Sequence, residues 1–366
     1  MSLDIVGIGT AVPAHSGDQE LALAIAKDMC ATTEDQDRML GAIHRGSGVL
    51  RRYTTIHEFV NGQRGKTNGD FYVPQRGSND PGPTTGQRMA RYEKEVPSLI
   101  LEAAKNAFLA SEQSADAITH LVTVSCTGFA APGYDVSLIK ELGLSPEVSR
   151  THVGYMGCHG ALNGLRVARG YVEADPNARV LMCAAELCTI HMHYGWDPEK
   201  MVANALFADG AAALICQPPQ EGGNRVWRII DNRSIILDDT EDLMSWRVRD
   251  HGFEMTLSAG VPPTIHERLK PWMNSWLADH GLCVEQVNSW AIHPGGPKIV
   301  SAVGDALGLE DAALKTSNSI LAQYGNMSSP TLMFVLKRLK ERGGRGPCVA
   351  VGFGPGLAVE AALLDC

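Results

Sequence analysis

The stretch Arg150-Thr-His-Val-Gly-Tyr-Met-Gly-Cys158-His-Gly-Ala-Leu-Asn-Gly-Leu-Arg-Val-Ala168 decides the fold. A β-branched and aromatic run leads through Gly157 into Cys158, and apolar residues then recur at Ala161, Leu162, Leu165 and Ala168. That three-and-four spacing is one face of a helix. The order is therefore strand, tight turn, helix, with a thiol at the turn. A helix N-terminus offers free N–H groups and the positive end of the macrodipole, so the thiol is expected to have a lowered pKa. A lone cysteine is more often an inert core residue. The rest of the chain has to decide between the two.

The same alternation extends in both directions. Toward the N-terminus, Ala117 to Ser125 reads as a strand, followed by Cys126-Thr-Gly-Phe129, a Pro-Gly turn and a helix over 134–142 that ends at Gly143. Toward the C-terminus, Ala178 to Ala185 and Ala211 to Cys216 read as buried strands. Strands alternating with helices indicate an α/β protein with a largely parallel sheet covered on both faces. Asp4 to Gly9 opens the chain as a strand. Its Gly7-x-Gly9 is not a dinucleotide fingerprint, because Val12 stands at the third glycine position and Pro13 follows. Asp18 to Cys30 reads as a surface helix with Asp18 as cap, and 61–86 as a long loop. Glu93 to Ala110 reads as a helix with Pro97 in its first turn.

Pro218-Pro-Gln-Glu-Gly-Gly223 is the expected boundary, dividing the chain into halves 1–217 and 218–366. In the second half Val226 to Leu237 reads as a strand and Pro262 to His280 as a helix. The strand Ser289–Ile292 delivers His293 into Pro-Gly-Gly-Pro297, and a helix runs on to Leu307. Tyr324-Gly-Asn326-Met-Ser-Ser-Pro330 then precedes another helix. Two closing strands flank Gly352-Phe-Gly-Pro-Gly356.

Composition limits the function. The chain has 366 residues, 44% hydrophobic and 20% charged, with a net charge of −9. That balance suits a soluble globular protein and disfavours nucleic-acid binding, which needs a basic face. No apolar run is long enough for a membrane span, and the N-terminus does not read as a secretory signal. The nine cysteines are scattered and odd in number, the pattern of reduced thiols in a cytoplasmic protein. His191-Met-His193 lies near Cys188, but no second ligand pair completes a zinc set, so no metal site is expected.

Cys158, His293 and Asn326 share one setting: each stands at a strand end or just before a helix, framed by glycine. A thiolate–imidazolium pair makes a nucleophile at neutral pH, and an amide with an imidazole can donate to a developing oxyanion. The order Cys, His, Asn also occurs in papain-like thiol proteases, but no Cys-Gly-Ser-Cys-Trp run is present here.

Five motifs carry a resemblance: Gly157-Cys-His-Gly-Ala, Ala205-Leu-Phe-Ala-Asp-Gly-Ala-Ala-Ala-Leu-Ile, Ile292-His-Pro-Gly-Gly-Pro, Tyr324-Gly-Asn-Met-Ser-Ser and Gly352-Phe-Gly-Pro-Gly356. In order and spacing they resemble the chalcone/stilbene synthase family, the type III polyketide synthases, in a bacterial form. The resemblance implies a thiolase fold, five-layered αβαβα with two pseudo-twofold halves, and a cytoplasmic homodimer. It implies decarboxylative condensation of malonyl-CoA onto an acyl-CoA starter held on Cys158, with coenzyme A thioesters as substrates and no cofactor. His293 and Asn326 then resemble the decarboxylating pair and Phe207 the gate. Cys126, His191, Trp246, Met255 and Ser328 take cavity positions, and Gly352, Phe353, Gly354, Pro355 and Gly356 the loop shaping the cyclisation chamber. Arg38, Arg45, Gly295 and Gly296 are the candidates for coenzyme A. Met255, Trp246 and His191 depart from the plant pattern, which leans the reading toward alkylpyrones or alkylresorcinols made from fatty acyl-CoA. A chalcone-synthase-like enzyme with an aromatic starter and a fatty-acid-type ketoacyl synthase are the alternatives.

Overall fold

A computed structural model describes residues 2–56, 71–72, 80–221 and 226–365. The first half contributes β1 (Leu3–Ala11), β2 (His15–Asp18), α1 (Gln19–Cys30), α2 (Glu34–Gly46) and β3 (Arg51–Thr54). It continues through α3 (Thr85–Ser111), β4 (His120–Val124), α4 (Tyr134–Leu142), β5 (Ser149–Val153), α5 (Gly160–Ala174), β6 (Val180–Leu187), α6 (Pro198–Leu206) and β7 (Asp209–Gln217). The second half holds β8 (Trp227–Ile236), β9 (Met244–Arg249), β10 (Gly252–Leu257), α7 (Val261–Asp279), β11 (Ser289–Ile292) and α8 (Pro297–Leu307). It ends with α9 (Asp311–Tyr324), α10 (Thr331–Glu341), β12 (Cys348–Gly354) and β13 (Ala358–Asp365).

Nine strands form one sheet in the order β11-β12-β13-β8-β1-β7-β6-β4-β5. Only three residues of β1 pair with β8, and this short seam joins the two halves. Side chains sort into three large cores, with a small fourth around Val49, Leu206 and Leu321, because successive residues of a strand face opposite sides. Ala161, Leu162, Leu165 and Ala168 of α5 and Leu332, Val335, Leu336 and Leu339 of α10 share one core with strand faces from both halves. On the other face of the first half, Leu99, Ile100, Ala103 and Ala107 of α3 pack on Leu181, Cys183, Ala213 and Ile215. On the other face of the second, α7 and α8 pack on Val349, Val351, Val359 and Ala361. The two halves of this sheet each carry helices on both faces, giving helix, sheet, helix, sheet, helix: the five layers that the resemblance implies.

Two expectations need correction. The sheet is mixed, not largely parallel: among the described residues only β4–β5, β4–β6 and β11–β12 pair in parallel within it. The turn between β12 and β13 spans three residues, and so short a link forces an antiparallel pair. The helix predicted from Glu93 starts at Thr85, where Thr84 and Gln87 form a capping box, so Pro97 lies inside it. Its added turns bury Arg88 and Tyr92, a face that apolar spacing alone does not reveal. Most of the long loop expected over 61–86 lies outside the described residues, as do 222–225 at the expected boundary.

Gly7 and Gly9 have a packing role. A Cβ on Gly9 would overlap the Ala103 carbonyl and the Ala107 nitrogen, so β1 and α3 touch backbone to backbone. Gly9→Ala is expected to cost about 3 kcal/mol through overpacking. Gly170→Ala on α5, where nothing stands within 4 Å, should instead stabilise by about 0.5–1 kcal/mol. Urea denaturation of the two variants beside the unaltered protein measures both shifts.

Candidate active site

Cys158 sits in a single 3-10 turn, Gly157–His159, between β5 and α5. Gly157 has φ +66°, and Pro355 would meet any Cβ there at 2.7 Å, so only glycine admits the loop this close to the nucleophile candidate. His293 follows β11, with its N–H donating to the Val351 carbonyl at 2.8 Å. Asn326 is locked by two backbone bonds to the segment that carries Phe207: Asn326 N to Leu206 O and Ala208 N to Asn326 O, both 2.9 Å. Its Oδ1 accepts from Ser328 N at 2.8 Å, which leaves Nδ2 as the outward donor, 3.4 Å from Gly295 O. Cys158, His293, Asn326, Phe207, Met255 and Phe353 line one narrow cavity.

Burial sets the protonation states. It pushes the Cys158 thiol up to about 11; the Glu186 charge adds to this, while hydrogen bonding from Ser328 and Asn326 opposes it. Burial, helped by His159, brings His293 down to about 3. Burial thus works against the thiolate–imidazolium pair expected from the sequence and favours the neutral form of each group. The helix-terminus effect, worth up to about 2 kcal/mol, is smaller than the desolvation of a fully enclosed thiolate. Neither ring nitrogen of His293 has a protein partner, so one can accept a proton and the other can donate.

The cavity walls come from a hairpin that hydrophobic patterning did not reveal. β9 and β10 pair Trp246 with Met255, and both residues face the site. Trp246 Nε1 donates to Cys126 O at 2.7 Å. His191 bridges the same parts: its Nδ1 accepts from Phe253 N at 3.0 Å, so its Nε2 donates to Thr127 O at 2.7 Å. Its ring stacks on Phe253 with centroids 4.3 Å apart. Cys126, Trp246, Ser328 and Pro355 surround the far side of Cys158.

Glu186 was missed in the sequence. It is buried at the end of β6 and accepts from Cys126 N, Thr127 N, Thr127 Oγ1 (2.7 Å) and Ser329 Oγ (2.8 Å). A carboxylate within the apolar run Leu181-Met-Cys-Ala-Ala-Glu-Leu was the available signal, since such a group is retained only where it is hydrogen-bonded.

Cavities run on from both sides of Cys158. One, through Leu257, Gly295 and Ile299, opens to a mouth lined by Gly296, Pro297, Lys298 and the end of α2. Lys298 supplies the mouth's basic lining; Arg45 is exposed nearby, and Arg38 pairs with Asp35 on the surface, so neither guanidinium lines it. The other, past Phe207, Trp246 and Met255, opens into a mainly apolar space walled by Leu21, Ala22, Ile25 and Ala26 of α1.

Known proteins share this architecture. Residues 3–218 match the model for chalcone and stilbene synthases, N-terminal domain, and 229–366 the model for the C-terminal domain. The chain is 38% identical over 283 residues to the alpha-pyrone synthesis polyketide synthase-like Pks18 of Mycobacterium tuberculosis, covering 75% of this chain and 71% of that protein. It is 32% identical to the 1,3,6,8-tetrahydroxynaphthalene synthase of Streptomyces peucetius subsp. caesius, covering 98% and 92% of the two chains. The crystal structure of PKS-I from the brown alga Ectocarpus siliculosus superposes with a TM-score of 0.92 at 31% identity, covering 99% and 98%.

Five buried histidines, His159 among them, weaken the fold in acid. His44 and His193 are lowered to about 4 and His191 and His293 to about 3, in each case chiefly by desolvation. With folded values below the unfolded one, the unfolded chain binds the extra protons, so stability falls as pH drops below about 6.5. Each such histidine contributes a slope of about 1.4 kcal/mol per pH unit between its two values. Denaturant titrations from pH 7 to 5 should show stability falling steadily. A profile that stays flat over that range would contradict the assignment.

Proposed function

From a chain that belongs to the chalcone and stilbene synthase family and is a type III polyketide synthase, we infer an enzyme that extends a fatty acyl-CoA starter with malonyl-CoA and closes an alkylpyrone- or alkylresorcinol-type ring. The observation that carries the starter class is the apolar space behind Phe207, Trp246 and Met255, walled by one face of α1. An aliphatic chain fills such a space by losing water contact alone, worth about 0.8 kcal/mol per methylene. The alpha-pyrone named for the Mycobacterium relative fits the same chemistry. Family membership sets the thiol-protease and fatty-acid ketoacyl-synthase alternatives aside.

The steps follow from the neutral pair. Cys158 Sγ attacks the starter thioester carbonyl as His293 takes the thiol proton, and coenzyme A leaves as the thiol with that proton. Malonyl-CoA then enters with its thioester oxygen toward His293 and Asn326. Loss of CO₂ puts negative charge on that oxygen, where an imidazole N–H and the Asn326 Nδ2–H donate to it. The resulting carbanion attacks the Cys158 thioester, releasing the thiolate and leaving a chain two carbons longer on coenzyme A. That thiolate attacks the thioester of the lengthened chain for the next round, and coenzyme A leaves as a thiolate that takes a proton from solvent. Every bond made or broken is accounted for by these side chains and the two thioesters, so the cycle calls for no resident cofactor. Lys298 at the mouth, beside the start of α8, is the suited partner for the coenzyme A phosphates, in place of Arg38 and Arg45.

The enzyme is proposed to act as a cytoplasmic homodimer. Edge strand β5 is followed by exposed Tyr155 and Met156 (85% and 39%), and Phe129, beyond the neighbouring β4, is exposed as well (71%). Apolar side chains beside an unguarded edge suit a second copy. Among the described residues all eight cysteines are free, and no helix is long and apolar enough to cross a membrane.

Incubation with a long-chain acyl-CoA should add one acyl mass to the peptide holding Cys158. Cys158→Ala should lose both the adduct and all polyketide product; product from that variant would overturn the reading. Ala22→Phe, which narrows the α1 wall, should lower kcat/KM for a hexadecanoyl starter by roughly tenfold or more while sparing a hexanoyl one. Equal losses for both starters would remove the acyl chain from this cavity.

A further inference from the structure

A polar chain beside the nucleophile has no part in the steps above. His159 directly follows Cys158, is buried, and places Nδ1 2.7 Å from Oδ1 of Asn163, one turn along α5. Asn163 Nδ2 donates to Glu360 Oε1 at 3.0 Å. The other carboxylate oxygen of Glu360 is paired with Arg166, which reaches the surface.

The direction of this chain is forced. Arg166 has only donors, so Glu360 beside it serves as an acceptor. Only the NH₂ end of Asn163 can face that carboxylate, which turns the amide oxygen toward His159. The imidazole therefore carries its proton on Nδ1, and Nε2 is a bare acceptor. That Nε2 has no partner and lies flat against the glycine loop. A Cβ on Gly354 would stand 2.5 Å from it, and one on Gly352 would stand 3.2 Å from the His159 Cβ and 3.6 Å from the His293 Cβ. Gly352 is also the cross-strand partner of Glu360. The ring thus packs against β12 at the start of the cyclisation loop, where Gly352 lies against both His159 and His293.

We propose that His159 is a positioning residue for condensation and ring closure: Arg166, Glu360 and Asn163 hold its ring, and the ring sets the spacing between Cys158, His293 and the Gly352–Gly356 loop. The proposal rests on the polyketide synthase reading. Starter loading needs only Cys158 and a proton acceptor, so it survives loss of the tether. Folding of the extended chain against the loop does not. The titratable and charged groups facing His159 are Cys158 and Arg166 on its own segment, His293 at the end of β11 and Glu360 on β13.

Three variants test this, each first checked for an unchanged melting temperature. Asn163→Leu cuts the tether, and His159→Phe removes the polar ring while keeping its bulk. Both should still take the acyl adduct on Cys158 with starter KM within about twofold, yet lose kcat by on the order of tenfold to a hundredfold, the cost of a misplaced reacting group. The ratio of early-released lactone to full-length product should rise in both. Asn163→Asp faces the imidazole with a carboxylate and favours its cation, so its product ratio should change with pH over about 6 to 8 while the unaltered enzyme's stays flat. Unchanged kcat and product ratio in Asn163→Leu and His159→Phe would overturn the proposal, as would a pH-flat Asn163→Asp or losses that track melting temperature alone. Should Asn163→Leu fail to fold, the other two variants decide. Absence of an acyl adduct in the unaltered enzyme would count against the polyketide synthase reading itself, a separate failure.

Discussion

The carboxylate of Glu186 is the constraint on which the site depends. It closes the end of β6 and gathers Cys126 and Thr127 from the first half and Ser329 from the second. A charged group this deep is tolerated only with its acceptor positions filled, and a partly filled set would be worse than none. Two loops must therefore arrive together. Thr127 then passes the constraint to His191, and Cys126 passes it to Trp246, so the hairpin wall is tied to the same carboxylate. Asn326 and Ser328 lie within three residues of Ser329 and share that registration.

Much of the architecture was legible because buried strands and amphipathic helices obey simple periods. β7, β8, β11, α7 and α8 lie where alternation and three-and-four spacing put them. Cys158, His293 and Asn326 stood out because glycine frames each of them, and the fold places all three on one cavity. Other features had no local signal. The start of α3 is polar and contains Gly86, so its capping box carries information that apolar spacing lacks. The hairpin of β9 and β10 exposes Arg247, Val248 and Arg249 at its tip and buries only part of its length. Its identity as a cavity wall comes from what it packs against.

Protonation was misread for a physical reason. A sequence shows that a thiol precedes a helix, but not that the helix end is sealed. Enclosure of Cys158 and His293 opposes the dipole and favours the neutral form of each group. The buried histidines His191 and His293 thereby serve different ends. One spends both nitrogens on holding the Thr127 loop to β10, and the other keeps both free for chemistry.

The corridor through the site has one more consequence. Around Cys158 its walls are largely apolar, with Phe207, Met244, Met255, Leu257 and Phe353, and the polar groups are gathered at His293, Asn326 and Ser328. A thioester waiting there is protected less by its own reactivity than by the scarcity of competitors for its carbonyl. The same dryness that makes the thiol reluctant to ionise thus lengthens the life of the bound acyl group. An enzyme that pauses between successive condensations can keep a labile bond longer where apolar walls limit the water beside it.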